Sequence, residues 1–290
     1  MSEITSRLSF IAPTPIQPEL PLFIFLPGMD GTGQLYQRQA DRLAKFFDIR
    51  CLAIPPDDMN DWDSLAKKTV ALIKNELLKR QRDGETRRWG DGNGKSHASP
   101  HPIYLCGESF GGCLALKLVL EAPKLFDRLI LVNPSSSFNR RPCLSWGIQI
   151  THWMPDFLHP VSALALLPFL ASLERMSSGD RMALLRAMNS IPPHVVSWRL
   201  SLLKNFAVAD NDLRRIAQPT LLIASTGDRV LPSMEEAKRL DSFLPNAQTV
   251  ILPDSGHACL LETNIYLDEI MKANNFIESK LLSSDRQVVA

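Results

Sequence analysis

The sequence is short of the features that would mark a nucleic-acid-binding, disulfide-built or membrane-spanning chain. Thirty-two Lys and Arg stand against 31 Asp and Glu, a net charge of +1. Without a basic excess there is no electrostatic footprint for nucleic acid. Five cysteines occur in 290 residues (Cys51, Cys106, Cys113, Cys143 and Cys259), an odd number with no CxxC pair. That argues against a disulfide framework or a zinc site and for a reducing compartment. Three of the five lie in apolar runs and read as small buried hydrophobes. The N-terminal MSEITSRLSF has no apolar core and no small-residue cleavage site, so no secretory signal is expected. The longest apolar stretch, Val161 to Leu173, is too short for a bilayer and contains Pro168. With 14 Gly, 21 Pro and 45% hydrophobic residues, collagen-like and disordered classes also drop out. A soluble cytoplasmic globular protein is the expectation.

What is present is an alternation of strand and helix signals in the order that builds a mostly parallel sheet. Leu22–Leu26 (LFIFL) is a continuous apolar run closed by Pro27-Gly28, as a strand buried on both faces should be. A helix is expected from about Gln34 to Phe46, then a strand at Ile49–Ile54 ended by Pro55-Pro56. Asp61–Arg80 has helical apolar spacing, with Asp61 or Asp63 at its start. Arg82–His101 is rich in Gly, Arg, Asp and Ser and reads as an exposed mobile loop. Strands at Ile103–Cys106 and Leu129–Val132 flank a helix from Phe110 to Glu121. A later pair, Thr220–Ala224 and Thr249–Leu252, flanks a helix at Met234–Phe243, and a last helix starts near His257 and runs into the 270s. The stretch from Pro134 to Gln218 shows helical patches, three of the five Trp and no strand alternation. We therefore read 1–133 and 219–290 as one α/β core and 134–218 as an inserted helical cap.

The strongest chemical signal is Gly107-Glu108-Ser109-Phe110-Gly111-Gly112, between a predicted strand and a predicted helix. That is the setting of a G-x-S-x-G elbow, a turn too sharp for side chains at its flanking glycines. Ser109 is then the candidate nucleophile, and it needs a base to take its proton. His257 follows the strand Thr249–Leu252 and so falls at the sheet edge that Ser109 also occupies. Asp228 leaves Thr220–Ala224 at the same edge and is the candidate orienting acid. The chain order Ser109, Asp228, His257 is that of α/β-hydrolases. Rival acids are less well placed: Asp127 precedes its strand, Asn133 cannot carry the charge, and Asp254 is too close to His257 to bend back onto its ring. An oxyanion hole would draw on the N–H groups of Phe110 and of Met29, in the glycine-rich loop after Leu22–Leu26. Asp30 has no derivable role.

Two other patterns carry less. Gly90-Asp91-Gly92-Asn93-Gly94-Lys95-Ser96 resembles a phosphate-binding loop but has one residue too few between its glycines and no strand immediately before it. His97, His101, His152, His159 and His194 show no metal-ligand spacing. No cofactor or metal is expected.

Leu26-Pro27-Gly28-Met29-Asp30-Gly31-Thr32-Gly33, Gly107 to Leu116 and Val132-Asn133-Pro134 resemble the hydrolase part of plant and cyanobacterial phytyl ester synthase-like proteins, the esterase/lipase/thioesterase family. The likeness continues through Leu231-Pro232-Ser233, Glu236 to Leu240, Gly256-His257 and Leu260-Leu261-Glu262. It implies an α/β-hydrolase fold and acyl-ester chemistry on lipids, with Ser109 as nucleophile, Asp228 as acid and His257 as base. Many members of that family carry a further acyltransferase domain with an H-x₄-D motif. No such motif occurs here, His152 and Asp156 being one residue too close, so hydrolysis is the expectation carried over.

The leading expectation is thus a serine esterase acting on a small-molecule or lipid acyl ester. The apolar cap, with Val161–Leu170 and Trp153, suggests an acyl-chain pocket or a peripheral contact with membrane lipid. Two alternatives use the same residues: an acyltransferase to a lipid alcohol such as phytol or diacylglycerol, and a hydrolase-fold ligand receptor with negligible turnover. A dehalogenase is disfavoured, because its elbow would carry Asp in place of Ser109.

Overall fold

A computed structural model describes residues 8–90, 101–140, 159–278 and Leu281. In chain order its strands are β1 (Ser9–Ile11), β2 (Leu22–Leu26), β3 (Asp48–Ala53), β4 (Ile103–Glu108), β5 (Arg128–Val132), β6 (Thr220–Ser225) and β7 (Ala247–Leu252). Its helices are α1 (Gln37–Leu43), α2 (Trp62–Gly90), α3 (Phe110–Glu121), α4 (His159–Leu170), α5 (Ser178–Asn189), α6 (Pro193–Lys204), α7 (Asp210–Leu213), α8 (Ser233–Phe243) and α9 (Leu267–Ala273).

The strands form because their side chains alternate between two buried layers. In β2, Leu22, Ile24 and Leu26 join one apolar cluster, while Phe23 and Phe25 join another. Leu129 and Leu131 of β5 likewise face the first layer, and Ile130 and Val132 the second. Helices α2, α3 and α8 cover the first face through residues such as Ile73, Leu114 and Leu240. Helices α1 and α9 cover the second through Leu43 and Met271. A strand with both faces covered has no polar side to show, which is why LFIFL reads as an unbroken apolar run.

The seven strands lie in the order β1-β3-β2-β4-β5-β6-β7. All neighbours are parallel except β1, which pairs antiparallel with β3. The winding reverses between β2 and β4, and such a reversal opens a crevice at the carboxyl ends of the strands. The Met29 loop leaves β2 and Ser109 leaves β4 on either side of that crevice.

Two expectations change. The helix expected to stop at Arg80 continues to Gly90, so Arg82–Gly90 is not a loop. Lack of apolar residues excludes burial, not helix, and the Arg and Glu residues there are good helix formers. Residues 91–100, with most of the phosphate-loop-like string, lie outside the described residues. The helix expected from His257 is instead a single 3-10 turn, Cys259–Leu261, followed by the separate α9. Its backbone is taken by tertiary bonds: Thr263 N donates to Arg175 O, and Met176 bridges Glu262. Strand β1 went unread because three residues at a sheet edge leave no periodic signal.

Trp62, at the start of α2, ties three helices together. Its ring stacks on Phe110 at 4.6 Å and meets Phe206 edge-on at 5.3 Å. Its indole N–H donates to Leu202 O at 2.8 Å. Trp62→Ala is expected to lower the unfolding free energy by about 3–5 kcal/mol, read from the midpoint of denaturant unfolding, with Trp62→Phe losing clearly less.

Candidate active site

Each group of the site is set by the strand end that carries it. Gly107 and Ser109 bracket the end of β4, and the chain turns at Ser109 into α3 with φ 52° and ψ −113°. A side chain with positive φ costs about 1–3 kcal/mol and persists only where the surroundings enforce it. Here they do: a Cβ on Gly111 would lie 2.1 Å from the Leu26 carbonyl oxygen. The backbone leaving β2 therefore runs directly against the first turn of α3. Ser109 N donates to Val132 O, and Ser109 O accepts from Gly112 N and Ser135 N.

Ser109 Oγ lies 2.8 Å from His257 Nε2, and His257 Nδ1 lies 2.7 Å from Asp228 Oδ2. Asp228 is fully engaged. Its Oδ1 accepts from Val230 N and Leu231 N at 2.9 Å each, and Ser233 Oγ donates to Oδ2. Burial opposes a charge on Asp228, but the imidazole and these donors outweigh it and hold the carboxyl below its usual value. Burial likewise opposes a charged His257, yet the Asp228 carboxylate and its hydrogen bond, with Glu108 beyond, raise the ring above 6.5. Glu108, next to Ser109, is pushed up to about 7, by burial first, with His257 opposing and Asp30 adding to the rise. A hydroxyl bonded to an imidazole whose far nitrogen is held by a carboxylate is an arrangement suited to removing the hydroxyl proton.

Met29 and Phe110, the two expected oxyanion donors, flank this group. Among the described residues neither main-chain N–H donates a hydrogen bond. A Cβ on Gly28 would come within 3.8 Å of Ser109 Cβ, so the loop that carries Met29 lies over the serine. Asp127 is at the opposite edge, where its carboxylate accepts from Ile103 N. No group of three or more His, Cys, Asp or Glu among the described residues could hold a metal ion, and no described helix is long and apolar enough to cross a membrane. Cys51, Cys106, Cys113 and Cys259 are buried free thiols.

Three residues that the sequence did not single out for the site belong to it. Asn133, set aside as an acid, accepts from Ser225 N at 2.9 Å and donates to His257 O at 2.8 Å. It thereby joins the ends of β5 and β6 to the histidine loop, at a positive φ that Asn tolerates. Glu262 holds the same loop from below, accepting from Gly256 N at 2.7 Å and Ser255 Oγ at 3.0 Å. Arg175 neutralises it at 2.7 Å. Ser135 Oγ, almost fully buried, lies 3.0 Å from Ser109 Oγ. Asn133 could have been found from its place at a strand's carboxyl end; Ser135 and Glu262 are revealed only by tertiary contact.

A family model described as the alpha/beta hydrolase fold matches residues 93–263. Among curated proteins, phytyl ester synthase 1, chloroplastic, from Arabidopsis thaliana is 32% identical over 277 residues. That alignment takes in 88% of this chain but 37% of the relative, so the chain spans well under half of that protein's length. A pimeloyl-[acyl-carrier protein] methyl ester esterase from Nitrosomonas europaea is 30% identical over 173 residues, 56% of this chain and 67% of that one. Among solved structures, MenH from S. aureus superposes with a TM-score of 0.70 at 16% identity, covering 96% of this chain and 100% of that one. The last likeness is one of fold.

The His257 ring is expected to titrate with a midpoint above 6.5 by NMR, and Asp228→Asn to move that midpoint down. Because the folded value is raised, the stability His257 contributes is complete below about 6.5 and is lost as pH rises through the folded value. An unchanged midpoint in Asp228→Asn would contradict the coupling.

Proposed function

The chain belongs to the α/β-hydrolase family, and on that footing we propose that it is a serine hydrolase cleaving acyl esters of lipidic substrates through an acyl-enzyme. The observation that carries this reading is the unbroken hydrogen-bonded chain from Ser109 Oγ through His257 to Asp228. Ser109 attacks the acyl carbonyl as its proton passes to His257 Nε2, and Asp228 holds the imidazolium that forms. The main-chain N–H groups of Met29 and Phe110 receive the oxyanion. His257 then gives the proton to the departing alcohol. Water, losing a proton to His257, attacks the acyl-enzyme, and Ser109 leaves with its own proton restored. The reading calls for no cofactor or metal.

Ser135 has a part in this scheme. With Nδ1–H given to Asp228, Nε2 accepts from Ser109, which leaves Ser109 Oγ to accept from the Ser135 hydroxyl. That bond strengthens as the serine oxygen gains charge, since hydrogen bonds to charged acceptors are stronger.

Residues 134–218 act in this reading as a helical cap on a core of 1–133 and 219–290. Leu164, Leu166 and Phe169 of α4 are each half or more exposed. Such a face supports a lipidic acyl chain as substrate and a peripheral contact with a lipid surface. Trp153 lies outside the described residues. A second reading, acyl transfer to a lipid alcohol in place of water, is favoured by the relative named as a phytyl ester synthase.

The test is hydrolysis of p-nitrophenyl esters from acetate to palmitate, with and without added phytol. Ser109→Ala is expected to lose at least about 10⁴-fold in kcat. A rate that climbs with chain length supports the lipid esterase, and phytyl ester formed in preference to free acid supports transfer. No turnover on any ester, with Ser109→Ala indistinguishable from wild type, sinks the proposal. Ser135→Ala is expected to lose about 10- to 100-fold in kcat with KM little changed.

A further inference from the structure

Arg199 is a buried arginine on α6 whose donors go to the main chain. Arg199 is 3% exposed, and no carboxylate forms an ion pair with it among the described residues. Nη1 donates to Met29 O at 2.6 Å, and Nη2 donates to Ile54 O at 3.3 Å. One guanidinium thus grips both the loop that leaves β2 and the segment that leaves β3. Those two segments are already joined by Ile54 N donating to Gly31 O at 2.7 Å. Gly31 gives the arginine its seat: a Cβ there would lie 2.6 Å from Nη1, and its φ is +69°.

A buried guanidinium forfeits hydration, and main-chain carbonyls repay it less well than a carboxylate would. What the arrangement gains is a fixed peptide orientation. The Met29 carbonyl is committed to Arg199, which fixes the Met29–Asp30 peptide, and the N–H of the adjoining Gly28–Met29 peptide donates no hydrogen bond among the described residues. Asp30 follows immediately, its carboxylate accepting from Thr32 N at 2.9 Å and from Thr32 Oγ1.

We propose that Arg199 is a positioning residue that preforms the oxyanion loop, holding the Met29 main chain from α6. The inference rests on the serine-hydrolase reading for the role of Met29, and it makes that role depend on α6 staying seated against the loop. Displacing α6 would release the Met29 carbonyl and with it the geometry of the neighbouring N–H.

Arg199→Met keeps the length and loses the donors. It is expected to lower kcat on a p-nitrophenyl ester by about 10²-fold, the scale of losing one oxyanion donor, with KM within about threefold. Millimolar guanidinium, but not equal sodium chloride, should restore part of the loss. Amide hydrogen exchange across residues 28–33 should be faster in the variant. Arg199→Lys, the variant more certain to fold, keeps the charge without the planar fork and is expected to lose about tenfold in kcat. A kcat near wild type in either folded variant, or a loss confined to KM, overturns the proposal. Failure of the underlying reading has a different signature: a wild-type protein that neither turns over esters nor is labelled at Ser109 by a fluorophosphonate. In that event the exchange measurement alone decides, and unchanged protection at residues 28–33 in Arg199→Met overturns the positioning role.

Discussion

The chain leaving β2 passes so close to the first turn of α3 that no side chain fits between the Leu26 carbonyl and Gly111. Much else in the site follows from that contact. It forces Ser109 into a backbone conformation that serine does not choose, and it lays the Met29 loop across the serine. Remove the contact and the strand, loop and helix would still form, but they would no longer converge.

The parallel sheet supplies the remaining geometry. Because β4, β5, β6 and β7 all end at one edge, Ser109, Asn133, Asp228 and His257 arrive there from residues up to 148 positions apart in the chain. Other polar groups hold them there. Asn133 sews two strand ends to the histidine loop, and Glu262 with Arg175 braces that loop from the other side. Asp228 is oriented by Ser233 and two main-chain N–H groups before it meets the imidazole. Such support counts because a misplacement of about 1 Å at reacting groups can cost about 10²-fold in rate.

The parts legible in the sequence were those with local signals. LFIFL and its counterparts announce strands buried on both faces, and glycines around Ser109 announce the elbow. Asp228 and His257 follow from being the polar residues just past strands that end at the right edge. What was not legible depends on contacts far apart in sequence. Nothing local says that Glu262 lies under Gly256, or that Ser135 lies against Ser109. Arg199 left a trace, a charge set between the apolar residues Trp198 and Leu200 of α6, though its partners could not be read from it. The boundary errors have one cause as well. Apolar spacing reports which residues are buried, so it stops short where α2 continues as a polar helix to Gly90, and it overruns where tertiary bonds interrupt the segment after His257.

The left-handed backbone at Ser109 also bears on how the protein would respond to selection. Glycine at that position would adopt the observed φ with less strain, so relief of that strain favours a variant without the hydroxyl. A screen for thermal tolerance alone would steadily favour discarding the serine. On the proposed reading, a screen for turnover would keep it and look elsewhere, in the outer turns and surface loops, for its gains in robustness. On that reading position 109 is a place where endurance and chemistry trade against each other within a single residue.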